Sequence, residues 1–545
     1  MKSSVLPITF GVALVALYLF TASAAQEGSL RVTIVDATTG QPTPVRVRIT
    51  AADGAPISKP TLGQLAMPGD VLGVPPEALA IMYGRDDIAD GYGTQPDGAF
   101  YVDGAFTVSL PPGTYDVHVT KGYEFVRQRH RVSVTPGRAL AERYELQRWT
   151  DMPGRGWYSS DDHIHLRRSP RENPLIVRWI AAEDIHVGNL LQMGDYFTTF
   201  FTQYAFGEEG RYQEGRHLLS PGQEEPRTPE IGHTIALGAS GFVRSREREY
   251  YTYATTFDRV HELGGLTGYA HQGVTFHGWR GMTLDVLQGK LDFLELLQFC
   301  APQGPLVTDN YYRFLDLGFP LTATAGSDFP WCGRNTKFGA AENEGPHIGD
   351  ARFYTYVGGP LTFDAWFAAL KAGRTFVTSG PMLEFTVDES LPGSTLERRT
   401  GDRLRIVARA HGHATDVPLS RVELIVHGEV AHSVAGIDAG QSSERIELTH
   451  EIPVGEHGVW LAVRAYGGAT QVAHTTPVYV RANGTGFENP ATFTRYLQMS
   501  EAYLDEIETS LETPTGTAID FQMTRHADAL RQRVVAARAI LADMR

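Results

Sequence analysis

Between about Ser29 and Arg148, apolar and polar residues alternate. Leu30-Arg-Val-Thr-Ile-Val35 alternates, Thr39-Gly40-Gln41-Pro42 turns, and Val45-Arg-Val-Arg-Ile49 alternates again. Run, turn and run recur from Ala105 through Pro111-Pro112-Gly113 to Val119. Successive strand side chains point to opposite faces, so this period predicts strands buried on one side, and here a β-sandwich. From about Gly154 to Pro381, short apolar runs alternate with helical segments. Strands are predicted at 157–165, 187–193, 233–237, 266–270, 293–299, 321–325 and 353–357, and helices at 175–183, 256–263, 310–317 and 363–372. Repeated βα units predict a parallel sheet or barrel, with chemistry at the C-terminal ends of its strands. Alternation returns at 404–409, 422–426 and 459–464, predicting a second β-sandwich. Beyond the linker Ala482-Asn-Gly-Thr-Gly486, two sets of residues fall at helical spacing. They are Leu497, Tyr503, Leu504 and Ile507, then Leu530, Val534, Ala537 and Leu541.

The chain therefore divides into a targeting segment (1–25), a β-sandwich (26–150), an α/β barrel (151–381), a second β-sandwich (382–484) and a helical tail (485–545). Lys2, the apolar run from Val5 to Phe20 and the small residues Ala22-Ser-Ala-Ala25 have the layout of a cleavable export signal. The run is shorter than the ~20 residues a span needs, and Pro7 interrupts it. A soluble periplasmic or extracellular protein is expected, with no stable membrane anchor after cleavage.

Of 545 residues, 42% are hydrophobic and 20% charged, which excludes fibrous and largely disordered chains. A net charge of -15 without a basic block argues against a nucleic-acid partner. A small-molecule substrate is expected, and a protein partner for the tail stays open. Cys300 and Cys332 are too few for a disulfide framework or a Cys-rich zinc module, but an oxidising compartment would let them pair.

Chemistry concentrates in Asp161-Asp162-His163-Ile164-His165, near a predicted strand end. His163 and His165 share a face and can reach one cation through ring nitrogens. Such a pair is weak evidence alone, and His411-Gly412-His413 is read as a surface pair. Further motifs at strand ends or in adjoining loops strengthen it. They are Gly222-Gln223-Glu224 (with Glu225 as a competing neighbour), Gly232-His233, Ala270-His271 and Gly326-Ser327-Asp328. Imidazoles with carboxylates suit zinc, manganese or iron, whereas calcium prefers oxygen alone.

In order and placement these motifs resemble the polymerase and histidinol phosphatase (PHP) superfamily, and within it the CehA/McbA metallohydrolases. The resemblance spans roughly residues 154–381 and includes 366–370 and Gly373-Arg-Thr-Phe-Val-Thr-Ser-Gly-Pro381. It implies a distorted, TIM-like βα barrel and a metal-dependent hydrolase. It also implies that His163, His165, Glu224 and Asp328 hold one cation, and Glu224, His233 and His271 a second, with Glu224 bridging. Residues 26–150 resemble the carboxypeptidase regulatory-like fold, an accessory module. Two departures matter. Met193-Gly194-Asp195-Tyr196 stands where the superfamily commonly has Thr-Asp-His, and Pro330 stands where a histidine commonly follows the aspartate by two residues. Both missing groups serve a third cation, so one or two divalent ions are expected.

Asp195 is read as a ligand or supporting group, and His277 as an acid or substrate contact. Arg352, with Arg334 and Lys337, is read as a charge for an oxyanion or acidic substrate. Asp162 is expected to orient a ligand imidazole. Aromatics from Tyr196 to Tyr212 fit a lid, a substrate wall or plain packing. The expected activity is metal-assisted hydrolysis of an ester, amide, carbamate or phosphoester bond. The alternative is a catalytically inactive binding or scaffold protein; such a protein would have lost several ligands, and all are present.

Overall fold

The fold is seen in a computed structural model that describes residues 26–57, 61–66, 97–194, 199–274, 276–298, 306–330, 347–436, 443–468, 470–512 and 523–545. The proposed export signal lies outside the described residues. The alternating N-terminal runs form Gly28–Asp36, Pro44–Ala51, Phe100–Leu110, Gly113–Thr120, Gln128–Val134 and Ala139–Leu146. With Thr61–Gln64 they make one seven-stranded sheet. Their inward residues, Leu30, Val32, Val45, Val47, Val117 and Val119 among them, meet in one core. A single sheet buries its own inner face only by folding over, so one continuous sheet supplies both layers.

In the central region Trp157–Ile164, Val187–Gly194 and His217–Glu224 lie parallel. The next strand, Gly232–Leu237, is antiparallel to His217–Glu224 and to Leu266–Tyr269. A parallel return needs about a dozen residues or more. Only residues 225–231 separate Glu224 from Gly232, so the chain reverses. Parallel pairing resumes with Phe293–Leu297 and Thr322–Ala325. The parallel bridge Ile164–Phe329 brings the end of this series back to its start, leaving the sheet nearly closed.

On the other side of Trp157–Ile164 run Arg352–Tyr356 and Thr375–Thr378, both antiparallel to their neighbours. Thr375–Thr378 then pairs with Val472–Thr475, so the central sheet continues into the C-terminal β-region. Opposite that layer lie Met382–Val387, Arg403–His411 and Arg445–Pro453. Phe385, Leu404, Ile406, Leu424, Leu448 and Leu461 fill the space between. The molecule is thus multidomain and mostly β.

The tail helices Phe493–Glu512 and Ala527–Asp543 pack onto the central region. Leu504, Ile507, Leu530 and Val534 share a core with Tyr269, Met282 and Phe314. Trp279 Nε1 and Arg280 Nε donate to Glu506 at 3.1 and 2.9 Å, and Arg533 pairs with Asp285. Among the described residues no helix is long and apolar enough to cross a membrane.

Candidate metal centre

His163 and His165 stand where the strand Trp157–Ile164 breaks register with its neighbour, between Asp161 and Ile164. Asp161 holds that break. Its carboxylate accepts from the backbone N–H of His163 (2.9 Å), Ser327 (3.1 Å) and Gly349 (2.8 Å), and from Ser327 Oγ (2.6 Å). This ties the histidine turn to the loop carrying Asp328. Burial pushes Asp161 up to about 6 despite these donors. His271 and Asp328 have φ of 56° and 54°, in the left-handed region that non-glycine residues rarely adopt. Strain there costs of order 1–3 kcal/mol and persists only where the surroundings enforce it, often at functional sites.

Two buried ligand sets result, His163–His165–Asp328 and Glu224–His233–His271. In the first, the two Nε2 atoms are 3.1 Å apart and lie 3.3 and 3.2 Å from Asp328 Oδ1. In the second, Glu224 Oε1 is 2.8 Å from His233 Nδ1 and 3.7 Å from His271 Nε2. Glu224 Oε2 reaches the first set, 3.4 Å from His165 Nε2. The antiparallel reversal explains the convergence: with Gly222 opposite Leu237 and Gln223 opposite Ala236, the start of His233's strand runs on past Glu224 at the same end of the sheet.

The donors fit a cation. His163 Nδ1 faces Glu295 Oε1 at 3.2 Å, and His165 Nδ1 faces the Leu191 carbonyl at 3.2 Å. Both acceptors require Nδ1 to carry a proton, so both Nε2 atoms converge beside Asp328, where each can hold a second proton or offer a lone pair to a cation. Lone pairs and carboxylates gathered in a dry site repel one another unless a positive charge joins them. Burial disfavours a charged His163, but Asp328, Glu295 and Glu224 outweigh it and hold its pKa well above the usual imidazole range. Burial likewise opposes charge on Glu224, yet Arg227, His233 and the hydrogen bonds from His163 and His165 keep it well below the usual range. Burial and Arg227 pull His233 down to about 3, against the pull of Glu224, so it is a neutral donor at pH 7.

Of the other expected residues, Glu225 turns away from the cluster, with its Oε1 3.9 Å from Arg244 Nε. His277 lies exposed at the rim, its Nδ1 donating to the Pro229 carbonyl at 2.8 Å. Its neighbour Phe276 stacks on the His233 ring at 4.1 Å. Arg352, expected to meet an oxyanion, instead donates to the carbonyls of Gly349 (2.6 Å) and Glu183 (3.0 Å) under the Tyr123 ring. It is buried and braces the contact with the N-terminal domain. Asp162 hydrogen-bonds neither imidazole; Glu295 takes that role, accepting also from the His271 backbone N–H. The pattern-based reading missed Glu295, a lone carboxylate inside the apolar run 293–299. It also missed Gln298, which donates to Asp328 Oδ2 at 3.2 Å. Of the aromatic loop, Phe201 packs on the His165 ring at 5.1 Å. Asp195, Arg334, Lys337, Cys300 and Cys332 lie outside the described residues.

No family model matches the chain, and no curated protein matches it. Fibronectin(III)-like modules of Clostridium thermocellum CbhA align at 22% identity over 20% of this chain and 97% of theirs, with a TM-score of 0.13. The apo β-glucuronidase 3 of Bacteroides uniformis aligns at 12% over 84% of this chain and 63% of its own, with a TM-score of 0.18. The Parabacteroides merdae β-glucuronidase gives 10%, 81%, 60% and 0.17. Likeness this low carries no argument about fold or activity.

Proposed function

We propose that this chain is an exported metal-dependent hydrolase. Its central region is a distorted βα barrel of the PHP type, related to the CehA/McbA enzymes. One or two zinc, manganese or iron ions serve it, and its substrate is a small-molecule ester, amide, carbamate or phosphoester. The observation that carries this reading is a pair of buried ligand sets joined through Glu224. His163, His165, Asp328 and Glu224 would hold one ion, and Glu224, His233 and His271 the other.

Ions bound there supply Lewis acidity and lower the pKa of water from 15.7 toward about 7. The chain's own residues do the rest. Glu295 and the Leu191 carbonyl fix the two imidazoles with Nε2 facing inward. Asp328 and Glu224 supply compensating negative charge. Phe201 walls off His165 from solvent. His277, exposed at the rim, is situated to exchange a proton with a leaving group or solvent.

Elemental mass spectrometry of the mature protein tests the assignment. Near two equivalents of metal are expected in wild type, lost in His163→Ala/His165→Ala, with hydrolysis of at least one of the four bond classes. No metal in wild type, and none after reconstitution, would replace this reading with the inactive binding protein.

A further inference from the structure

The two ligand sets differ in charge. The first has Asp328, shares Glu224, and has Glu295 behind His163. In the second, Glu224 is the one carboxylate beside two imidazoles among the described residues, and its Oε2 is turned to the first set. A divalent ion in the first set therefore meets more negative charge than one in the second.

A fixed cation adds to the difference. The short antiparallel ladder of residues 227–228 with 232–233 sets Arg227 directly opposite His233. Residues opposite one another in such a pair carry their side chains on one face, so Arg227 leaves the ladder on the side of the His233 ring. Its Nε lies 3.6 Å from Glu224 Oε2, and Oε1 of the same carboxylate lies 2.8 Å from His233 Nδ1. A guanidinium keeps its charge at any pH a folded protein meets. That charge reaches the second set: together with burial, it draws His233 down to about 3.

An ion entering the second set must share Glu224 with Arg227 or displace it. Sharing holds like charges a few ångströms apart with little water between them, and displacement forfeits the ion pair. Either course lowers affinity there. The first set meets the same guanidinium but offsets it with Asp328 and Glu295. We propose that Arg227 makes the second set the weaker binder of divalent cations. The first set then fills at lower free metal, and the number of ions held follows the metal supply. This inference rests on the metal centre of the hydrolase reading.

Zinc titration of the metal-stripped full chain against a chromophoric chelator, without substrate, tests it. Wild type should fill in two steps whose affinities differ by about tenfold or more. His233→Ala should lose the weaker step. Arg227→Met should narrow the gap by tightening that step, and Arg227→Lys, which keeps a cation, should retain it. Arg227→Gln removes the same charge and decides should the methionine variant fail to fold. Two zinc ions bound with equal affinity, or with a gap that removing the charge leaves unchanged, would overturn this inference alone. So would loss of the tighter step in His233→Ala. A wild-type protein that takes up no zinc would overturn it together with the metal-centre reading.

Discussion

Glu295→Gln barely changes the shape of this side chain and removes its charge. The carboxylate is fully buried. It accepts from two donors at once, His163 Nδ1 at 3.2 Å and the His271 backbone N–H. An amide has one acceptor oxygen and one donor nitrogen, so either orientation sets an N–H against an N–H. A buried donor left unsatisfied costs about 1–3 kcal/mol, which folding stability should register. His163 also loses the carboxylate that fixes its tautomer and raises its basicity. Partners of this kind contribute 10–100-fold to metal affinity, or about 1.4–2.8 kcal/mol. Competition for zinc against a chromophoric chelator at neutral pH measures this, with circular dichroism to confirm folding. A folded Glu295→Gln protein with wild-type zinc affinity would refute the claim that Glu295 prepares His163 as a ligand.

Leu504 is fully buried where the tail meets the central core, so Leu504→Ala should cost about 2–5 kcal/mol in chemical denaturation. A loss below about 0.5 kcal/mol would mean the tail does not support that core. His474 is buried, donating from Nδ1 to the Thr475 carbonyl and accepting from Tyr312 Oη at Nε2, both at 2.7 Å. Burial and Arg464 depress its pKa to about 3. The unfolded imidazole titrates near 6.5, so its stabilisation is complete above that pH and is lost as pH falls toward 3. At pH 5 the loss is about 2 kcal/mol, from 1.5 units at 1.36 kcal/mol each. His474→Gln should flatten that limb of a Tm-against-pH curve; an unchanged slope would count against it. A Cβ at Gly326 would press on Asp162 Oδ1 and His163 Cβ and lie 2.8 Å from His163 N. Gly326→Ala should therefore displace His163 and remove an ion from the first set, and full metal content would contradict this.

Much of this was legible along the chain because it is local. Period-two alternation in the flanking regions and short apolar runs in the central one placed the expected strands, mostly to within a residue or two; the run at 187–193, for instance, is Val187–Gly194. The i, i+2 rule put His163 and His165 on one face. Among the elements that escaped, two have local signals that conflict with their state. His217–Glu224 contains Pro221 and Gly222, ordinarily strand breakers. Helix Gly278–Leu287 carries two glycines and is buried on most sides, so no amphipathic stripe marks it.

By itself the sequence determined the kinds of candidate ligand, their order and their places at or near strand ends, since side-chain chemistry and strand patterning need no distant partner. Only the tertiary structure decided that Glu224 and not Glu225 faces the histidines, that a strand reversal brings His233 to them, and that Arg352 braces a domain contact. It alone seated Glu295 behind His163, 132 positions away in the chain, and the tail helices against the core. Such pairings arise when loops close and buried charges find partners, and closure between distant segments leaves no periodic trace in either one.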